Sequence, residues 1–84
     1  MYTDTVSLLA TPPKREYKTF TRQLRAHLHK EVHLKVEQDD APITYILKDI
    51  GKDYVVVSFA QMERTIPLNR IIFFQVENPP VRYL

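Results

Sequence analysis

The hydrophobic period of this chain changes once, and the segments after the change lie close together. From residue 14 to 29 the apolar side chains Tyr17, Phe20, Leu24 and Leu28 recur at spacings of three and four. At about 100° per residue they form one helical stripe. From Val32 onward the period is two. Val32, Leu34 and Val36 alternate with His33, Lys35 and Glu37, the pattern of a half-buried strand. Further strands are predicted at about 43–50, 54–59, 64–68 and 71–76, joined by connections of only two to five residues. Parallel neighbours need crossovers of a dozen residues or more, so these strands pair antiparallel. The expected fold is mainly β with one N-terminal α-helix. Its body is a five-stranded, strongly bent antiparallel barrel of the SH3-like kind, with the helix over one open end.

Punctuation supports these limits. Residues 1–11 show no sustained period and read as a flexible N-terminal tail. Pro12-Pro13 follows, and Pro13 suits a first helical turn; the helix is expected over 13–29. The first strand is expected at about 31–37. The run 38–42 is a turn by composition, and the lone glycine, Gly51, marks a tight hairpin between Asp49 and Asp53. Tyr54 to Phe59 reads as a strand buried on both faces. Pro67 confines its strand to an edge or an irregular position. Asn78-Pro79-Pro80 ends the last strand, leaving 78–84 as a C-terminal tail and 12–77 as one domain. Val56, Ile71 and Phe73 are expected to be largely buried, within a subunit or between subunits.

With 84 residues there is room for one small domain. The absence of cysteine excludes disulfides, a thiolate nucleophile and Cys-based metal sites. A single glycine excludes a glycine-rich phosphate loop. No apolar run approaches the length of a membrane span, and Met1 to Ala10 does not read as a secretory signal. A cytoplasmic, non-membrane protein is the expectation. Charge is unevenly placed: residues 1–30 carry a net charge of +4 and residues 31–84 a net charge of −2. Lys18, Arg22, Arg25 and His29 lie opposite the apolar stripe, with Lys14 and Arg15 nearby. A cationic face of this kind suits a polyanion.

Two segments resemble the Sm-like family, which includes the bacterial RNA chaperone Hfq. The first Sm motif is matched by Val32-x-Leu34-x-Val36 and by Ile43 to Val57, which contains Asp53-Tyr54-Val55-Val56-Val57. The apolar framework of the second is matched by Ile66-Pro67-Leu68-Asn69-Arg70-Ile71-Ile72-Phe73-Phe74. Pro67-Leu68 stands in place of the family's Arg-Gly. Arg64-Thr65-Ile66 occupies the neighbourhood of Hfq's Tyr-Lys-His signature. The resemblance implies a ring-forming RNA-binding protein, an Hfq-like riboregulator or RNA chaperone. It implies a homo-oligomer of five to seven subunits, with a hexamer as the first expectation, in which the last two strands pair between neighbouring subunits.

The candidate RNA-binding residues are Lys18, Arg22, Arg25, Tyr54, Gln61 and Arg64. The three helix cations would meet phosphates; the plainer alternative is a solvated helix face. Tyr54 would stack a base, or is an ordinary strand aromatic. Gln61 and Arg64 would face the pore that the resemblance implies, or form a polar loop. No enzyme is expected, with no catalytic or metal-binding residues and no cofactor. His27 and His29 lie about 200° apart on a helix and do not chelate one ion, and Ser58 has no His/Asp constellation. The RNA expected is single-stranded. The alternative is a ring-forming or barrel scaffold that docks a protein partner on the basic helix without binding RNA; an SH3-like monomeric adaptor is a third.

Overall fold

A computed structural model describes residues 5–78, with side chains over 9–76. The N-terminal residues 1–4 and the C-terminal tail beyond Asn78 lie outside the described residues. Within the described residues the chain is mainly β with one α-helix. Strands β1 (Thr5–Ala10), β2 (Glu31–Val36), β3 (Ile43–Ile50), β4 (Tyr54–Phe59), β5 (Met62–Pro67) and β6 (Ile71–Asn78) form one antiparallel sheet. Its order is β1-β6-β2-β3-β4-β5, so the sheet is open, with β1 and β5 at its edges. The expected five-stranded, strongly bent barrel is therefore replaced by a six-stranded sheet that is not closed. Among the described residues, no helix is long and apolar enough to cross a membrane.

The sixth strand falls in the segment expected to be a tail. Thr5–Ala10 pairs with β6 from Thr5↔Asn78 to Ala10↔Phe73. Its partner lies more than sixty residues away in sequence, so no local period announces the pairing. This pairing has a consequence for assembly. β6 has β1 on one side and β2 on the other, so the strand expected at a subunit boundary lies inside the sheet.

Helix α1 (Tyr17–Leu24) is flanked by 3₁₀ turns at Lys14–Glu16 and Arg25–His27. Glu16 N–H donates to the Pro13 carbonyl at 2.9 Å, which closes the first turn behind the proline. Phe20 and Leu24 are buried, and Tyr17 and Leu28 pack on the same core. Phe20 meets Phe74 of β6 with ring centroids 5.4 Å apart. The helix ends earlier than expected, before His29. That residue takes a left-handed backbone (φ 66°), and its N–H donates to the Leu47 carbonyl at 2.6 Å. The helical chain thus turns directly into the sheet.

The core is one cluster: Phe20 and Leu24 from the helix, Val32, Leu34 and Val36 from β2, and inward residues of β3 to β6. Two bulges decide which residues face inward. In β6, Lys35 pairs with Phe73 but Val36 pairs with Ile71, so Ile72 is the extra residue. Inward positions therefore run Ile71, Phe74, Val76. Ile71 is buried as expected, while Phe73 is only half-buried and Phe74 takes the core position. In β3 the pairs Leu47↔Val57 and Asp49↔Val56 leave Lys48 extra, which brings Ile50 inward after Tyr45 and Leu47. A bulge adds bend and twist to its strand, as a single sheet curling around one core requires. β4 buries Val55 and Val57 but leaves Val56 and Ser58 half-buried and Tyr54 and Phe59 exposed. Within one subunit, then, β4 is not buried on both faces as expected, and Val56 is not part of the core.

Candidate nucleic-acid interface

The helix and the β3–β4 hairpin bound an open groove of about 670 Å³. Lys14, Arg15, Lys18 and Arg25 line one wall, and Lys52 comes from the hairpin opposite. Asp53 is the single acid of the lining. Among the described residues none of these five cations is held in an ion pair. The groove follows from local sequence. The apolar stripe of the helix is consumed by the core, which leaves its cations to solvent. The hairpin loop Gly51–Asp53 is short, and Gly51 N–H donates to the Tyr54 carbonyl at 2.8 Å. The Tyr54 ring lies against Gly51, so a β-carbon added there would have to displace that ring.

The structure brings together some of the candidate residues and separates others. Lys18 and Arg25 line the groove. Arg22 is exposed on the helix between them, outside the lining. Tyr54 is 39% exposed and borders the groove through its contact with Gly51. Gln61 and Arg64 are elsewhere. The two-residue turn Ala60-Gln61 joins β4 to β5 at the far end of β4, about 17 Å from Tyr54 at roughly 3.3 Å per strand residue. Arg64 is tied internally. Its Nη1 donates to the Tyr45 hydroxyl at 2.7 Å and lies 3.5 Å from Asp39 Oδ2. Lys35 Nζ holds the Asp39 backbone carbonyl.

Lys52 and Asp53 of the groove, and Asn69 beside it, are not among the candidate binding residues of the sequence; Asp53 and Asn69 appear there as positions of the two motif matches. Asn69 reaches the site because Leu68 N–H donates to the Asp53 carbonyl at 2.9 Å, fastening the 3₁₀ turn Leu68–Arg70 to the β3–β4 hairpin. His27, at the helix end, has its pKa lowered by burial and secondarily by Lys30. Both effects disfavour the charged imidazole, so His27 adds less positive charge than an ordinary histidine. Among the described residues no three His, Asp or Glu side chains gather as a metal site.

No protein-family model, curated protein or solved structure matches the chain.

Proposed function

We propose that this chain is a divergent Sm-like protein that binds single-stranded RNA in the groove between the basic helix and the β3–β4 hairpin, without catalysis, in the cytoplasm. The observation that carries the reading is the convergence of five unpaired cations from two elements on one groove. A solvated helix face explains four of them but gives no reason for Lys52 to stand opposite. Phosphate affinity grows with each counterion released, and Tyr54 at the border offers a ring for base stacking. The groove is the docking surface, and Gln61 and Arg64 are left out of it.

The Sm-like reading includes a ring, with six subunits as the first expectation. Since β1 covers β6, the edges of the sheet among the described residues are β5 and β1. Subunits would join through those edges, and each ring would repeat the groove once per subunit, turning a weak site into an avid one. Native mass spectrometry of the full chain at tens of micromolar tests this. A monomer mass of 9.9 kDa overturns the ring.

RNA binding is tested with the triple variant Lys18→Ala, Arg25→Ala, Lys52→Ala. It should melt like the wild type, because all three side chains are exposed. It should bind uridine-rich and adenine-rich oligonucleotides more weakly. Its log–log salt slope should be shallower by about 2, at about 0.7 per single-strand contact. A wild type that binds no RNA at physiological salt overturns the reading. Capture of an acidic protein by the wild type and its loss in the triple variant would then establish the protein-docking alternative.

A further inference from the structure

The cationic groove adjoins a smaller recess of about 200 Å³ that shares Lys14, Tyr17 and Asp53 with it. Pro67 and Asn69 complete the recess. This volume is below the about 300–1,000 Å³ of clefts that hold drug-sized ligands, and it suits a single planar group. Tyr17 and Pro67 are its apolar components. Asp53 is acceptor-only when ionised, and the Asn69 amide both donates and accepts. The walls are held by backbone pairing. Tyr54 is the ladder partner of Pro67, and the Asp53 carbonyl accepts from Leu68 N–H at 2.9 Å. Asp53 is the one acid lining either hollow. A carboxylate among phosphate-binding cations repels the backbone it sits beside, unless the ligand brings donors to it.

We propose that this recess reads one base of the bound strand and favours guanine. The inference rests on the RNA reading above and deepens it. Guanine alone among the four RNA bases presents two donors side by side, N1–H and N2–H, to a carboxylate. Adenine and cytosine place a ring-nitrogen acceptor beside their amino group. Uracil flanks its single N–H with two carbonyls. The Asp53 carboxylate thus gains two hydrogen bonds from guanine and meets lone pairs on the others. The Asn69 amide supplies a donor for guanine O6 or N7, and Tyr17 supplies the aromatic surface.

The test uses the full chain and uridine heptamers with one central guanosine, inosine, adenosine or cytidine, compared with the unsubstituted heptamer at one salt concentration. The guanosine heptamer should bind roughly tenfold tighter than the rest, within the range of a good bidentate pair. Inosine, which lacks the N2 amino group, should lose most of that gain. Asp53→Asn should abolish the preference, because an amide offers guanine one acceptor and one donor where the carboxylate offers two acceptors. Asn69→Ala should reduce the preference and leave the salt slope unchanged. Heptamers that bind within about twofold of one another overturn the guanine inference and leave the RNA reading standing. So does an Asp53→Asn variant that keeps the preference. If no heptamer binds, the RNA reading fails along with the inference.

Discussion

The two ends of β4 carry similar residue types and use them in opposite ways. At the Tyr54 end, five cations from the helix and the hairpin face open solvent without an ion pair among the described residues. At the Phe59 end, Arg64 is bound to Asp39 and to the Tyr45 hydroxyl. Large apolar side chains are exposed there, Phe59 at 57% and Met62 at 73%, beside the polar Gln61 and Glu63. Backbone conformation differs as well. The loop Gly51–Asp53 has no residue at positive φ, whereas Ala60 and Gln61 take φ of 49° and 70°. Charge that is already paired is part of the scaffold, and charge left open is available to a ligand. An arginine in the sequence belongs to either class until its neighbours are known.

Four substitutions sharpen this contrast, beginning with the core beneath both ends. Phe74→Ala removes a fully buried ring that touches Phe20. It should cost about 3–5 kcal/mol, a large share of the about 5–15 kcal/mol typical of a whole domain. Phe73→Ala, on the half-buried side of the bulge, should cost well under half as much. Urea denaturation measures both, and equal losses would show that the bulge at Ile72 does not set the phase of β6.

Arg64→Met keeps the aliphatic stem but leaves Asp39 without its ion pair and the Tyr45 hydroxyl without its donor. The expected loss is about 1–2 kcal/mol, at the lower end because Arg64 is partly exposed. RNA affinity should not change. A fall in affinity with no fall in stability would break the contrast by placing Arg64 among the ligand-binding groups.

Gln61→Gly has the smallest expected effect. A non-glycine residue in the left-handed region costs about 1–2 kcal/mol. Glycine relieves that cost but adds about 0.5–1 kcal/mol of unfolded-state freedom. A net gain of under about 1 kcal/mol is expected in thermal or urea unfolding, with RNA binding unchanged. A net loss would mean that the Gln61 side chain makes a stabilising contact of its own.

The sequence alone determined the elements whose signals are local. The stripe Tyr17, Phe20, Leu24 and Leu28 places one helical face on the core, because its spacing matches the helical turn. The bounds 43–50 and 54–59 are legible from a β-branched, apolar run on each side of Gly51. The short connections require antiparallel neighbours. Tertiary structure decided the rest. β1 exists because β6 offers it an edge from the other end of the chain, and no residue in Thr5–Ala10 encodes that distance. The bulges at Lys48 and Ile72 shift the inward phase by one residue, so Phe74 and Ile50 become core although strict alternation does not mark them. The groove and its recess form where a helix, a hairpin and the 3₁₀ turn Leu68–Arg70 meet, and Asn69 becomes a neighbour of Asp53 only there. Periodicity records which face of an element is apolar, while register and long-range pairing depend on contacts between segments remote in sequence.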